Sequence, residues 1–445
     1  MFTSDTAREY RGGEPLDDKD AKLERSPLAS RKGVVAAAIG NAVEYFDFGT
    51  YATFAVLLGN VFFPSKSPFL SLMLSVSAFG LGFVVRPLAA FFIGVYADRV
   101  GRKQAMTLTL WLMAIGTGTM AVLPGYEQIG VAAPILLVVT RLIQGVAWGG
   151  EAGPATTFIL ESAPPEKRAS YACWQVTSQG IAAVAAGLVG WVLSTYLSEY
   201  DLKMWGWRIP FLLGMAVLPI GIYMRRRLAD TLESENVGQT TREIVVEIKR
   251  NHYVKVIYGV MILLGSTITQ FFINYLTTYA MVDLHLPTNV SMLATLISGG
   301  TLAIFAVIGG VLCDRFGRKP ILLVPRLMLL LLIYPTLQLL SNKPTVTVFL
   351  SCVFVMSVFQ ALSGAALIVL IAESFPRKVR STGFSITYAF AISVFGGTAQ
   401  IIISWLIGST GNGMAPVWYL IVANIICIVA ATLSKETHPF KTAKA

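Results

Sequence analysis

Metal and disulfide chemistry have little to work with in this chain. Only three histidines occur, His252, His285 and His438, far apart in sequence. The four cysteines, Cys173, Cys313, Cys352 and Cys427, show no C-x-x-C spacing and read as small buried hydrophobes, so no metal site is expected. Charge is scarcer still. Asp, Glu, Lys and Arg make up 13% of the 445 residues against 55% hydrophobic, which excludes an ordinary soluble domain. No phosphate-cradling glycine loop ending in Lys-Ser or Lys-Thr is present, and no nucleophile is paired with a base in an enzyme pattern. Neither catalysis nor a cofactor is expected. No short apolar segment with a cleavage site precedes the first long apolar run, which argues against a cleaved signal peptide.

Long apolar runs are plentiful, and about twenty such residues cross a bilayer core. Twelve spans are predicted, near 34–62, 69–97, 105–123, 131–158, 170–197 and 208–224, then 254–283, 290–312, 320–340, 345–371, 380–407 and 415–433. A polar tail, 1–33, is expected to be disordered. A linker, 225–253, separates the two sets of six, and a second tail covers 434–445. Part of the linker has helical periodicity and can lie along a membrane surface or serve as a tether between the halves. The Lys and Arg residues set an orientation. Of 35, 27 fall in the tails and alternate loops that share one side, and four fall on the other. Both termini are therefore expected in the cytoplasm, and the net charge of +10 needs no nucleic acid to explain it.

The chain is internally duplicated. Gly94-Val-Tyr-Ala-Asp98-Arg99-Val-Gly101-Arg102-Lys103 returns as Gly310-Val-Leu-Cys-Asp314-Arg315-Phe-Gly317-Arg318-Lys319, offset by 216 residues. A second pair, Glu161 with Arg168 and Glu373 with Arg380, repeats at an offset of 212. An acid at a span's end can accept charge-assisted hydrogen bonds from a neighbouring helix N-terminus or a loop arginine. Such contacts last only while the helix ends on that side are together, so these residues read as gating groups; the alternative is that they only fix topology. The glycines allow tight turns and close helix packing.

Two six-span halves with G-x-x-x-D-R-x-G-R-K after the second span of each resemble the major facilitator superfamily. Gly40-Asn41-Ala-Val-Glu44-Tyr-Phe-Asp47-Phe48, Arg86-Pro87-Leu88, Arg141-Leu-Ile-Gln144-Gly145 and Trp205-Gly-Trp-Arg208-Ile-Pro-Phe211 are similar to motifs of its metabolite:proton symporters. Trp174-Gln175-Val-Thr-Ser-Gln179 and Phe395-Gly-Gly397 look most like the citrate and tricarballylate branch, with the α-ketoglutarate branch next. The resemblance implies an all-α polytopic membrane protein of two pseudo-symmetric six-helix bundles around a midplane site. It also implies proton-coupled import of a small carboxylate through a bacterial inner membrane, by a chain for which a monomer suffices. Rivals that share the fold are an exporter, an uncoupled facilitator and a transporter-like sensor.

Charged groups inside spans are costly and are commonly functional or paired. Asn41, Glu44, Asp47 and Tyr51 fall within an arc of about 120° on the first span. Arg141, Gln144, Trp148 and Glu151 form a stripe on the fourth, and Gln175 and Gln179 lie on the fifth. A buried carboxylate beside a guanidinium stays ionised and takes up a proton when the guanidinium moves to another partner. Glu44, Asp47 and Glu151 are thus candidate proton carriers, with Arg86 and Arg141 as switching partners or substrate clamps. A permanent set of ion pairs locking helix register is the competing explanation. In the second half Gln270, Asn274, Gln360 and Tyr388 are candidate substrate contacts, or interhelix hydrogen bonds. Arg326 is expected to snorkel to the surface.

Overall fold

The computed structural model describes residues 10–11, 14–15, 31–90, 92–93, 102–149, 156–157, 159–160, 163–226, 246–376 and 379–438. A chain in hydrocarbon must satisfy its own backbone groups, so each apolar run resolves into a helix. In the first half α1 is Arg31–Thr53, and beyond a break at Phe54 its path continues as Ala55–Phe62. Then follow α2 (Pro68–Ala90), α3 (Arg102–Val122), α4 (Ala132–Gly149), α5 (Arg168–Tyr196) and α6 (Ile209–Arg226). The second half holds α7 (Tyr253–Val282), α8 (Thr288–Phe316), α9 (Arg318–Asn342), α10 (Val346–Ser374), α11 (Arg380–Thr410) and α12 (Ala415–Leu433).

Among the described residues nine of these helices are long and apolar enough to cross a membrane; α1, α3 and α6 complete the twelve. Large apolar side chains such as Trp111, Leu331, Trp405 and Trp418 face outward, a belt that would drive aggregation in water and suits lipid. Most of the expected N-terminal tail and of the linker lies outside the described residues. In the tail Tyr10–Arg11 pairs antiparallel with Glu14–Pro15. At the linker's end a π-helical turn, Ile248–His252, leads into α7, and Ile248 packs with Val379.

The ends are locally encoded. Ser67 and Thr345 accept hydrogen bonds from Leu70 N and Val348 N and so cap α2 and α10. Gly317 joins α8 to α9 at φ +100°, a conformation that disfavours a side chain. The α8–α9 loop marks one face of the molecule, here the α8–α9 face.

The halves meet along α5 and α8, along α2 and α11, and where α1 approaches α7. Toward the face opposite α8–α9, Gly80 and Gly397 bring α2 and α11 into backbone contact. There too Thr53 of α1, Thr295 of α8 and Thr277 of α7 link their hydroxyls at 3.1 and 3.0 Å. Phe48, Phe79 and Phe83 of the first half pack against Phe271 of α7 across the boundary. The halves therefore touch on both sides of the midplane.

Candidate functional site

Between those contacts a pocket lies inside the first half, lined by residues that include Glu44, Asp47, Arg86, Met113, Arg141, Gln144 and Trp148. Four helices supply them, and their approach depends on glycine. A Cβ on Gly145 of α4 would collide with the Gly82 carbonyl of α2, so only glycine there lets Arg86 and Arg141 share one cavity.

Asp47 is the hub. Its Oδ2 accepts from Arg141 Nη1 at 3.2 Å, and its Oδ1 accepts from Thr117 Oγ1 and Gln144 Nε2, both at 3.0 Å. All of these groups are buried. The Arg141 guanidinium also lies 4.2 Å from the centre of the Tyr51 ring. Tyr51 donates its hydroxyl to the Ser75 carbonyl at 3.1 Å, so it supports Arg141 through its ring. Arg86 is held between two aromatic faces, 3.5 Å from the Phe83 ring centre and 3.4 Å from that of Trp148. Cation–π contact supplies attraction to a desolvated guanidinium without consuming its N–H groups. Arg86 Nε, Arg141 Nε and Arg141 Nη2 have no hydrogen-bond partner among the described residues. Glu44 is 4% exposed and lines the same pocket. The site thus sets two carboxylates beside two cations, with three guanidinium nitrogens left without a hydrogen-bond partner among the described residues.

Other candidates occupy different places. Asn41 Nδ2 donates to the Gln175 carbonyl at 3.0 Å and to Ser178 Oγ at 2.8 Å, tying α1 to α5. Gln175 Oε1 accepts from Thr156. Gln179 is partly exposed on the same helix. Tyr388 meets Tyr45 of the first half at 3.4 Å between hydroxyls. Gln270 donates to Asn274 one turn along α7. Gln360 donates to Ser266. Glu151, Gly94, Asp98, Arg99, Gly101 and Glu161 lie outside the described residues, and nothing is described of the Arg102 side chain.

Arg326 corrects the sequence expectation. It is fully buried, with Nη2 on Ser266 Oγ at 2.7 Å and Nη1 on Asn424 Oδ1 at 3.3 Å. A snorkelling side chain seeks the aqueous edge. Here polar groups of α7 and α12 inside the bundle offer acceptors, and the guanidinium stays with them.

The repeated loop motif is legible at its second copy. Asp314 accepts from Ala169 N at 2.9 Å and Ser170 N at 2.8 Å, so a carboxylate of α8 caps the start of α5 in the other half. Gly310 makes this possible, since a Cβ there would sit 2.8 Å from the Ala169 carbonyl. Arg168 reaches Glu373 at 3.1 Å across the same boundary. Arg318, fully buried, reaches Glu373 at 3.2 Å and Asp314 at 3.4 Å. Arg380 donates to the Ala372 carbonyl at 3.2 Å, bracing the turn into α11. Arg315 is exposed and lies over the Phe316 ring, so it does not join the clamp.

Sequence reasoning missed the segment after α12. Glu436 accepts from the Arg318 and Lys319 amides at 3.1 and 3.0 Å, capping α9. Thr437 donates to Glu373 at 2.7 Å, and a His438 ring nitrogen lies 2.8 Å from the Asp314 carbonyl. Burial alone would raise the Glu436 carboxyl, but the backbone N–H groups of Lys319, Arg318, His438 and Thr437 outweigh it and hold the carboxyl below its usual range. At the opposite face burial pushes Asp283, just past α7, up to about 6, with His285 opposing. Thr117 and the Phe83–Trp148 clamp were also missed, because a neutral threonine and two aromatics gain meaning only once Asp47 and Arg86 are placed.

Among the described residues, twelve long helices in two halves, a buried charged pocket and clamps between helix ends define a membrane transporter. The Major Facilitator Superfamily model matches residues 37–302, and a sugar (and other) transporter model matches 224–441. The chain belongs to the major facilitator superfamily. It is 35% identical to a citrate-proton symporter of Salmonella typhi, over 92% of this chain and 95% of that one. To a citrate-proton symporter of Klebsiella pneumoniae it is 34% identical, over 89% and 90%. A glycine betaine/proline/ectoine/pipecolic acid transporter of Dickeya dadantii is 31% identical over 92% of this chain and 83% of its own length. In fold it is similar to a D-xylose-proton symporter, at a TM-score of 0.70 and 17% identity over 92% and 98% of the two chains.

Proposed function

We propose that the chain is a proton-coupled symporter that imports citrate or a closely related tricarboxylate by alternating access. The observation that carries this reading is the pair of buried guanidiniums in the pocket wall, Arg86 and Arg141, three of whose nitrogens have no hydrogen-bond partner among the described residues. A multiply charged carboxylate supplies acceptors for them. The similarity to two citrate-proton symporters supports the same substrate. With α-ketoglutarate or another dicarboxylate the scheme is unchanged, and fewer donors are filled.

Coupling follows from competition at Arg141. While Asp47 holds Arg141, substrate has only part of that guanidinium. A proton on Glu44 or Asp47 removes a negative charge from the pocket and frees the cation for the substrate. A protonated Asp47 also has less acceptor capacity for Thr117 and Gln144, so protonation loosens α1 from α3 and α4. Asp314, Arg168, Glu373 and Arg318 act as the gate on the α8–α9 face, and the Lys and Arg bias supports a cytoplasmic position for that face and for both termini. The lipid belt then lies in a bacterial inner membrane, and one chain contains the whole pathway.

The test is radiolabelled uptake in proteoliposomes with citrate, tricarballylate, α-ketoglutarate, proline, betaine and a neutral sugar, each with and without an inward proton gradient. Gradient-driven accumulation of a tricarboxylate is expected. Accumulation of betaine or proline instead, or indifference to the gradient, would overturn the proposal.

A further inference from the structure

Among the described residues, the second half contains a buried cation without a counter-ion. Arg326 of α9 forms no ion pair among the described residues, and its Nε has no hydrogen-bond partner. Its two other nitrogens reach Ser266 Oγ and Asn424 Oδ1, both neutral. Asn424 is oriented in turn by donating to Thr269 Oγ1 and the Leu420 carbonyl, each at 2.9 Å. A desolvated guanidinium among neutral groups is costly, and the cost falls when an anion comes within reach.

Ser266 and Gln360 adjoin Arg326 in one hydrogen-bonded group. Gln360 Nε2 donates to the Ser266 carbonyl at 3.1 Å and to Ser266 Oγ at 3.2 Å. A carbonyl can only accept, so the amide orientation is fixed, and Gln360 Oε1 is left buried without a donor. Ser266 Oγ accepts twice, from Arg326 and from Gln360, which uses both lone pairs and leaves its O–H to donate elsewhere. Polar side chains on a helix commonly bond back to a carbonyl three or four residues earlier, as Thr269 does to Gly265; no such bond is made by Ser266. Ser266 is partly exposed and stands one turn before Gln270 on α7. Phe271, on the same stretch, touches Phe48, Phe79 and Phe83 of the pocket wall. One turn along α10 from Gln360, the buried Ser357 hydroxyl also lacks a partner.

We propose that Ser266 and Gln360 form a second-half subsite for a hydroxy-carboxylate, with Arg326 as the positioning cation behind them. The Ser266 O–H, polarised by the guanidinium on its oxygen, donates to a carboxylate oxygen of the substrate. Gln360 Oε1 accepts from the hydroxyl on the neighbouring carbon. Two adjacent groups, one a donor and one an acceptor, match an α-hydroxy acid and leave one of the two unfilled with a plain carboxylate. The subsite rests on the carboxylate reading above and narrows it to substrates such as citrate, in preference to tricarballylate, which lacks only the hydroxyl.

The experiment is calorimetric binding of citrate and tricarballylate to the purified full chain in detergent, for wild type and single variants, with melting temperatures alongside. Wild type should bind citrate about tenfold more tightly, the worth of one buried hydrogen bond. Gln360→Met should bring that ratio close to one by weakening citrate alone. Ser266→Ala, which removes a single oxygen, should weaken both ligands about tenfold and keep the ratio. Arg326→Gln should behave as Ser266→Ala does, and Arg326→Lys should recover part of the loss. A merely structural role would weaken both ligands equally in the Gln360 variant, and that result overturns the subsite. So does unchanged binding in Ser266→Ala. Wild type that binds neither carboxylate would instead overturn the proposed function itself.

Discussion

The clamp on the α8–α9 face allows a quantitative prediction. Asp314→Asn keeps the shape of the side chain and removes its charge. The carboxylate accepts two backbone N–H groups at the start of α5, one on each oxygen, and Arg318 approaches one of those oxygens. Hydrogen bonds to a charged group are worth about 1.5–3 kcal/mol each, and the interaction with the helix N-terminus adds about 0.3–1 kcal/mol. An asparagine retains one acceptor oxygen and turns a donor toward the second amide, so one charge-assisted bond is lost outright. We expect a cost of about 2 kcal/mol to the closed arrangement of this face, or roughly 30-fold in the ratio of closed to open. The native cysteines are all buried, so spin labels can be placed at the exposed Glu166 and Arg315, which flank the clamp on opposite halves. The distance distribution between them should broaden and lengthen in Asp314→Asn. Arg315 lies outside the clamp, so labelling it leaves the clamp's bonds intact. An unchanged distribution in Asp314→Asn would refute the claim that this carboxylate holds the halves together.

Four further outcomes can be checked directly. Glu44→Gln should abolish gradient-driven accumulation while exchange without a gradient persists, as measured in proteoliposomes; full accumulation would remove Glu44 from the coupling. Arg141→Lys keeps the charge but loses the planar fork, and should weaken substrate binding by about 10- to 100-fold in calorimetry. Asp283 holds its proton up to about pH 6 in the folded chain, against 3.8 for a free side chain, so its contribution to stability falls as pH rises through that window. Melting curves of Asp283→Asn should lack this decline and lie above wild type at pH 7. Glu436 has the opposite sign: its carboxyl is held low, so its contribution is present at neutral pH and is lost as pH falls below the usual carboxylate range. Glu436→Gln should cost about 1 kcal/mol at pH 7, the worth of a helix cap, and nothing in strong acid.

The architecture was legible in the sequence because each span repeats one physical requirement, and the duplicated G-x-x-x-D-R-x-G-R-K ties two distant loops to one geometry. The first-half pocket was legible because charge in hydrocarbon is rare enough that Glu44, Asp47, Arg86 and Arg141 stand out individually. Neutral groups do not stand out. Ser266, Asn424 and Thr117 are three among many hydroxyls and amides in apolar helices, and only placement separates them from ordinary interhelix bonds. Arg326 was misread for the same reason. A cation with no acid at helical spacing looks free to leave the bilayer, and its neutral partners come from helices about sixty and one hundred residues away. The tail segment from Glu436 to His438 has no apolar periodicity, so nothing in its composition announces that it caps α9.

The unequal distribution of charge between the halves has a mechanical consequence. In the first half Arg86 and Arg141 share a pocket with Glu44 and Asp47, so under the proposed function anion affinity there varies with protonation. In the second half the proposed subsite groups Ser266 and Gln360, like Gln270 and Asn274 on α7, keep one charge state at any physiological pH. Arg326 stands behind them and stays charged. Recognition in that half is therefore independent of the proton. An anion engaged by both halves joins one wall whose affinity is switched to another whose affinity is constant, and releasing the proton breaks only the first grip. Substrate can then leave when the α8–α9 face opens, whereas two switched walls would bind and release as one unit and leave no intermediate held by a single half. On this argument a carboxylate introduced at Gln270 or Asn274 should shift the pH dependence of uptake, although neither position touches the Asp47–Arg141 pair.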